Sequence, residues 1–181
     1  EVDASRMAED IQWMVRQLDE PLADPASLNV LYISRLAREQ GIKVLLSGAG
    51  GDDLFTGYRR HVAVRYHSLL SLLPRSLRLS ISVAGKRLSV KQALIRRLRK
   101  MAGCASLTGD ARLVNYFRWI DRDDLQKLYS PEFKNALGQA SAERPMLEFL
   151  SALPEETSEI ERILALEQRF FLCDHNLTYT D

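Results

Sequence analysis

The sequence has 181 residues, of which 46% are hydrophobic and 27% charged, and a formal net charge of +1 at pH 7. This length holds one domain or at most two small ones, and the near-zero charge gives no electrostatic case for a nucleic acid or an acidic membrane as partner. No stretch approaches the roughly 20 apolar residues of a membrane span, residues 1–10 do not resemble a signal peptide, and two distant cysteines, Cys104 and Cys173, favour a reducing compartment. We therefore expect a soluble, cytoplasmic protein.

The N-terminal part of the chain predicts two helices separated by a proline. Apolar residues recur at helical spacing over about 5–18, which predicts an amphipathic helix that ends at Pro21. Asp24 and Pro25 then predict the start of a second helix, with Asp24 as its N-cap. Gly41 is placed to cap the end of this second helix.

A short apolar run leads directly into a glycine-rich loop with two adjacent carboxylates. Residues 42–46 predict a buried parallel strand, because the run is apolar and is bounded by glycine. The loop that follows, Ser47-Gly48-Ala49-Gly50-Gly51-Asp52-Asp53, is nearly stripped of side chains, so its backbone N–H groups can approach an anion closely. Its carboxylates can hold a hard cation such as Mg²⁺ beside that anion. The pattern predicts a nucleotide or pyrophosphate site, and the alternative is a tight strand-to-helix turn with a solvated aspartate pair.

The chain from about residue 58 onward is predicted to be helical. Pro74 breaks a leucine-rich stretch over 69–79, and Ser158 with Glu161 forms a capping box that begins a long helix. Trp13 and Trp119 are interpreted as core residues, because both lie on apolar faces. Further helices are predicted over 79–83, 92–101, 110–119 and 122–129, and another helical turn or a loop from Pro131.

Neither the histidines nor the basic residues predict a site. His61, His67 and His175 have no metal-ligand spacing with one another, so structural or surface roles are the preferred interpretation. The basic residues between 86 and 100 are interpreted as a solvated helix face rather than a phosphate or RNA patch, because no aromatic residues are interleaved with them for stacking. We predict no nucleic-acid partner.

A single strand cannot form a sheet. A parallel strand that is apolar on both faces needs neighbours for its N–H and C=O groups, and no other strand is evident in the sequence. We therefore expect the 181 residues to be a segment of a larger protein. The predicted fold class is α/β, with residues 1–60 in a nucleotide-binding α/β layer and residues 61–181 in a helical portion of the same domain.

Three landmarks in chain order resemble the glutamine-hydrolysing asparagine synthetase family. Residues 46–58, which read LSGAGGDDLFTGY, are similar to the family signature LSG(D/E)G(G/S)DE(L/I/V)FGGY. Residues 18–25 are similar to the family segment that contains DEPxxDPS, and residues 169–181 resemble its YLxDDLLxKxD helix, with Asp181 at the closing aspartate. Between about 60 and 150 only the length and the helical character match.

The resemblance implies a fold, a reaction and a set of ligands. The implied fold is a parallel-sheet, ATP-pyrophosphatase-like (adenine nucleotide alpha hydrolase-like) synthetase domain. The implied reaction is adenylation of a carboxylate by Mg-ATP, followed by displacement of AMP by ammonia from glutamine. On this resemblance Ser47, Gly48, Gly50 and Gly51 contact ATP, Asp52 holds Mg²⁺, and no residue is assigned as catalytic. The implied partners are an N-terminal glutaminase domain and the rest of the synthetase domain, and a homodimer is left open.

Two loop residues depart from the family pattern. Asp53 replaces a glutamate and is interpreted as a cap of the following helix. Ala49 stands where the family usually carries glutamate or aspartate, and general acid–base help is worth about 10²–10⁴-fold in rate. Three interpretations stay open: a different substrate such as a sugar acid, a replacement carboxylate elsewhere, or weakened activity, as in a non-catalytic nucleotide-binding or scaffolding descendant.

Two motifs of the family are not found in the sequence. The SGGxDS pyrophosphate loop does not occur, and residue 1 is glutamate rather than the cysteine nucleophile that hydrolyses glutamine. We therefore expect that the 181 residues do not turn over on their own.

Overall fold

The fold is helical over most of the residues that the structure describes. The computed structural model describes residues 4–20, 22, 24–86, 95, 99, 102–120, 122–178 and 180. The chain forms two compact units, one built from Glu1–Gly57 with Glu167–Asp181 and the other from Tyr58–Leu166. The first unit therefore joins two segments that are far apart in sequence. Within the described ranges, no helix is long and apolar enough to cross a membrane.

Two helices begin the first unit, as the apolar periodicity predicts. Helix α1 spans Ala4–Gln17 and helix α2 spans Ala26–Glu39. They pack against each other, with Met14 and Leu28 buried, and the Ser27 hydroxyl lies 2.9 Å from Met14 Sδ. The same hydroxyl lies 2.8 Å from the Asp24 carbonyl oxygen, so this buried polar side chain has hydrogen-bond partners.

The predicted C-terminal end of α2 is confirmed, whereas the helix begins one residue later than predicted. Pro25, and not Asp24, occupies the N-cap position, although Asp24 Oδ1 accepts from the Ala26 N–H at 2.8 Å. At the other end, Gly41 has φ +74° and its N–H donates to the Arg38 carbonyl, while the Ile42 N–H donates to the Ala37 carbonyl. This pair of bonds is a Schellman motif, which requires a left-handed residue at the position of Gly41.

The strand predicted over 42–46 is not observed. Residues 42–48 have neither helical nor strand structure, and no strand occurs in any described range. The apolar side chains are exposed, with Leu46 98% and Val44 74% accessible. A strand is defined by ladder hydrogen bonds to a neighbour, and none of the described segments forms a ladder with this one. The parallel sheet therefore stays a prediction.

The first unit is completed by a very short helix and a π-helix. Helix α3 has four residues, Gly51–Leu54. It packs against the π-helix Glu167–Asn176. Ten consecutive residues in π geometry are unusual, because π-helices mostly occur as single turns, and these are frequent at functional sites.

The second unit is a cluster of helices around a leucine-rich core. The fully buried core side chains include Leu113, Leu150, Ile163 and Leu166. The Arg162 guanidinium donates to both carboxylate oxygens of Asp110, at 2.9 and 2.8 Å, and to the Leu150 carbonyl at 2.7 Å. The helices of this unit whose bounds the structure describes are α4 Arg59–Ser71, α5 Arg75–Lys86, α6 Gly109–Asn115, α7 Arg122–Leu128, α8 Pro131–Leu137, α9 Arg144–Ser151 and α10 Glu159–Leu166.

Most helix predictions for the second unit are confirmed. Pro74 separates α4 from α5, and residues 79–83 are helical. The capping box at α10 is reciprocal: the Ser158 N–H donates to Glu161 Oε2 at 2.9 Å, and the Glu161 N–H donates to Ser158 Oγ at 3.4 Å. The helix predicted over 92–101 lies outside the described residues, apart from Ile95 and Arg99, which are helical.

The prediction that both tryptophans are core residues is wrong. Trp13 is 40% exposed and its ring lies 4.3 Å from the Arg35 guanidinium carbon. The buried position of α1 is its neighbour Met14, and adjacent helix residues point about 100° apart. Trp119 is 64% exposed because it lies in a bend beyond the end of α6 and not on a helix face.

Candidate functional site

The glycine-rich loop is a tight turn with a left-handed residue at its centre. Gly50 has φ +92°, a conformation in which any side chain is strained. The Gly51 N–H donates to the Gly48 carbonyl at 3.2 Å, and the Ala49 N–H donates to Ser47 Oγ at 3.1 Å. These two N–H groups are thus engaged within the loop itself.

The structure brings the predicted ATP-contacting residues together on this turn, in unequal environments. Ser47 and Gly48 are exposed, Gly51 is half-buried and Gly50 is buried. No atom lies within 4 Å of the positions that Cβ atoms would take at Gly48 and Gly51, so the backbone there is open to a ligand. At Gly50 a Cβ would meet the Leu172 side chain at 3.4 Å, so this glycine serves the turn and the packing behind it.

Asp52, the predicted metal ligand, is exposed on the first turn of α3. Gly57 gives its side chain room: a Cβ at Gly57 would lie 1.9 Å from Asp52 Oδ1 and 2.9 Å from Asp52 Cβ. The Gly57 N–H also donates to the Asp52 carbonyl at 3.0 Å, so the chain folds back over this residue. The exposed carboxylate therefore lies close to Gly57, where any larger residue would displace it.

Asp53 has the opposite environment, and the interpretation of it as a helix cap is wrong. Its side chain is 0% exposed, and the residue lies within α3 and not at the N-cap position, which Gly50 occupies. The Asn176 amide donates to both of its oxygens, at 3.3 Å to Oδ1 and 3.1 Å to Oδ2. A buried carboxylate needs such donors, because burial without them costs several kcal/mol. The alternative of a solvated aspartate pair is excluded as well, since only one of the two carboxylates is in solvent.

The residues that contact Asp53 from the π-helix were not predicted from the sequence. His175 Nδ1 lies 2.9 Å from Asn176 Oδ1, and His175 Nε2 lies 3.1 Å from Asp24 Oδ2. The Phe171 ring stacks on the imidazole with a centroid distance of 4.6 Å. No local pattern indicates these contacts, because Asn176 and Asp53 are 123 residues apart and the π-helix has no recognised spacing rule.

The residues present fit a cation that is carried by a nucleotide. Among the described residues, no group of three or more histidine, cysteine, aspartate or glutamate side chains could hold a metal ion. Mg²⁺ usually keeps several waters and binds through one or two carboxylates together with substrate phosphates, and a single exposed Asp52 satisfies that need. The buried His61 lies in the second unit beside Tyr58 and is engaged in packing there.

Other titratable groups do not form a second centre in what the structure describes. Burial raises the pKa of Tyr116 to about 12, so its hydroxyl is neutral at physiological pH. The Arg60 guanidinium lies over the rings of Tyr58 and Phe117, with its carbon 4.2 and 4.8 Å from the ring centroids. In the second unit a cavity of about 350 Å³ is lined by Asp110 and Arg162, which bond to each other.

A second cavity lies in the first unit, at the C-terminal end of α2. It has a volume of about 590 Å³ and is lined by residues of α2, by Gly41, Ile42, Lys43 and Leu45, and by Thr180. The loop residues 47–52 do not line it, so the candidate site lies outside this cavity.

Comparison with known proteins identifies relatives of one kind. The family model described as asparagine synthase matches residues 1–181. A protein of Mycobacterium tuberculosis H37Rv named "Putative asparagine synthetase (glutamine-hydrolyzing)" is 39% identical over 90 residues, which are 47% of this chain and 13% of that protein. A similarly named protein of Methanocaldococcus jannaschii is 33% identical over 94 residues, which are 52% of this chain and 17% of that protein.

A third relative, "Asparagine synthetase (glutamine-hydrolyzing) 1" of Bacillus subtilis, is 39% identical over 65 residues, which are 36% of this chain and 9% of that protein. The matched stretches are thus less than a fifth of the length of these relatives. No solved structure matches the chain.

Proposed function

The chain belongs to the asparagine synthase family, and from this membership we propose that it is part of an ATP-dependent, glutamine-dependent amidotransferase that adenylates a carboxylate and converts it to an amide. The observation that carries the proposal is the loop 47–52, where an open glycine turn stands next to an exposed carboxylate. That arrangement suits the phosphates and the magnesium of Mg-ATP.

Each residue of the loop has a proposed role. Ser47 accepts the Ala49 N–H, and its own O–H can donate to a phosphate oxygen. Gly48 and Gly51 let the backbone lie close to the phosphates, since no atom fills the space where their side chains would be. Gly50 sets the left-handed turn. Asp52 holds Mg²⁺, which when bound neutralises phosphate charge as pyrophosphate leaves.

The acceptor carboxylate is the open part of this proposal. Ala49 is exposed on the loop and offers neither a proton nor a charge at the position where the family usually has an acid. A substrate that supplies its own polar groups, such as a sugar acid, is one proposal for this position, and a replacement carboxylate elsewhere in the protein is another. The competing proposal, a non-catalytic nucleotide-binding or scaffolding descendant, is favoured by the same residue.

Exchange of labelled pyrophosphate into ATP separates these proposals. The full-length protein that carries this chain is assayed with aspartate, other amino acids and a panel of uronic acids, with Mg²⁺ present. Exchange that depends on one acid identifies an enzyme and its acceptor. If Mg-ATP binds but no acid supports exchange, the non-catalytic alternative is correct.

The 181 residues alone are proposed to lack exchange activity, because the SGGxDS loop that the resemblance assigns to pyrophosphate is not among them. The purified chain is assayed beside the full-length protein under identical conditions. Exchange above background from the purified chain would contradict this point.

A further inference from the structure

Four polar side chains of the first unit form a continuous chain behind the glycine loop. Asp24 Oδ2 lies 3.1 Å from His175 Nε2, and His175 Nδ1 lies 2.9 Å from Asn176 Oδ1. The Asn176 amide nitrogen then donates to both oxygens of Asp53. This set, called the Asp24–Asp53 chain below, connects the start of α2 to α3 through the last two residues of the π-helix.

The Asp24–Asp53 chain is most buried at Asp53, the member that lies next to the glycine loop in sequence. Asp53 is 0% and Asn176 6% exposed, while the side chains of His175 and Asp24 are about one-fifth accessible. Hydrogen bonds to a buried charge are among the stronger ones in proteins, and a charge left without its donor costs far more than an exposed one. The Asn176 amide therefore contributes strongly to holding α3 at Asp53.

The Asn176 side chain links the two halves of the Asp24–Asp53 chain. With its NH₂ group turned to Asp53, its carbonyl oxygen faces His175 Nδ1 at 2.9 Å. The other ring nitrogen of His175 faces Asp24 Oδ2 at 3.1 Å. Each of the two π-helix residues therefore contacts a neighbour on either side.

The π-helix meets the loop at a second, apolar point. The Leu172 side chain lies against Gly50, at 3.4 Å from the position where a Cβ would be. Asp53 is also the direct neighbour of Asp52, so a shift of α3 moves the exposed carboxylate with it. One element thus supports both the left-handed turn and the residue next to the proposed metal ligand.

We propose that His175 and Asn176 are positioning residues of the glycine loop: through the Asp24–Asp53 chain they hold α3, and with it Asp52, in the conformation that receives magnesium and phosphate. The identity of the ligand rests on the proposed function, whereas the positioning of the loop does not. Neither residue is proposed to touch the ligand or the reacting atoms.

Amide hydrogen exchange on the 181-residue chain, followed by NMR, tests the positioning directly. The probes are the Leu54, Phe55 and Gly57 N–H groups, whose acceptors lie on Gly50, Gly51 and Asp52. Asn176→Leu should speed their exchange about tenfold or more, because it removes both bonds to the buried carboxylate. Asn115→Leu is the matched control, since it removes one half-buried amide contact, to Cys104 Sγ, in the second unit.

A swapped pair separates positioning from a general loss of stability. Asp53→Asn combined with Asn176→Asp keeps one amide facing one carboxylate, and the carboxylate introduced by Asn176→Asp would still accept from His175. The double variant should return the loop exchange to within a few-fold of the wild type, whereas Asn176→Asp alone, with two facing carboxylates, should not.

Each outcome decides the inference. Unchanged loop exchange in Asn176→Leu, equal acceleration in Asn115→Leu, or no rescue by the swap would overturn it. Titration of the same chain with magnesium pyrophosphate reports separately on the proposed function. If the wild type binds no pyrophosphate but the exchange results hold, the positioning stands and the proposed ligand is wrong for this chain.

Discussion

Asp52 and Asp53 are adjacent in sequence and opposite in environment, so one substitution can be compared at both. Asp53→Ala leaves the Asn176 amide buried without the two oxygens that it contacts, and should lower the free energy of unfolding by about 1–3 kcal/mol. Asp52→Ala changes an exposed side chain and should stay within about 0.5 kcal/mol of the wild type. Urea denaturation followed by circular dichroism measures both. Equal destabilisation by the two variants would contradict the assignment.

A substitution at Gly57 tests whether the position of the Asp52 carboxylate matters for magnesium pyrophosphate binding. In Gly57→Ala the new methyl group meets Asp52 Oδ1 and Cβ at once, so a change of rotamer alone does not relieve the contact. We expect the variant to weaken magnesium pyrophosphate binding about tenfold, measured by calorimetry on the chain. Gly103→Ala is the control, because nothing lies within 4 Å of its Cβ position. Binding that is unchanged in Gly57→Ala would show that Asp52 needs no such clearance.

At the scale of elements, the serine caps of two helices predict how the pKa of a neighbouring glutamate responds to substitution. Hydrogen bonds from Ser158 hold the pKa of Glu161 below its ordinary value. A lowered pKa means that this contribution to stability is present above the ordinary value and is lost as the pH falls through the lowered one. Ser158→Ala removes the hydroxyl but keeps the backbone N–H, so in an NMR titration it should move the pKa of Glu161 upward, part of the way to its ordinary value.

The cap of α8 provides a matched comparison. The pKa of Glu132 is also lowered, but first by the hydrogen bond from its own backbone N–H and only then by Ser130. Ser130→Ala should raise the pKa of Glu132 by less than Ser158→Ala raises that of Glu161. A larger pKa shift at Glu132 than at Glu161, or no pKa shift at Glu161, would contradict this account of the two caps.

The core of the second unit gives a stability prediction with a control of the same type. Leu113→Ala empties a fully buried position and should cost about 2–5 kcal/mol. Leu128 is 73% exposed at the end of α7, so Leu128→Ala should change stability by no more than about 0.5 kcal/mol. Thermal and urea unfolding measure both variants. Comparable losses would place the core elsewhere.

Local signals explain which elements could be predicted from the sequence. Proline, glycine and capping residues act within one turn, so Gly41, Pro74 and the Ser158–Glu161 box predict helix boundaries that the structure confirms. The strand over 42–46 could not be settled in this way, because a strand exists only through bonds to another segment. The ten-residue π-helix was not predicted either, since α and π geometry differ by one residue in the hydrogen-bond step.

Of the candidate site, only the loop residues were predicted from the sequence. The residues 47–52 follow one another, and their glycines and acidic residue are visible in the sequence. The supporting residues Asp24, His175 and Asn176 reach the loop through tertiary contacts across as many as 123 residues. The different environments of Asp52 and Asp53 arise from those contacts, which is why two identical neighbours could not be told apart beforehand.

At the scale of the whole molecule, the first unit is held together by segments from both ends of the chain. Glu1–Gly57 and Glu167–Asp181 form one compact unit, and the intervening Tyr58–Leu166 forms the other. The loop lies in the first unit, where α3 contacts the π-helix from the distant segment. The family match over residues 1–181 includes both segments of this unit.

The most direct test of the account is magnesium-dependent exchange of pyrophosphate into ATP by the full-length protein, compared between the wild type and Asp52→Asn. Asp124→Asn, which changes an exposed carboxylate in the second unit, is the control. The account predicts that Asp52→Asn lowers exchange about 10²-fold or more, because the loop loses its metal-binding charge, and that Asp124→Asn leaves it unchanged. Wild-type exchange in Asp52→Asn, with magnesium required as before, would contradict the assignment of the loop to Mg-ATP.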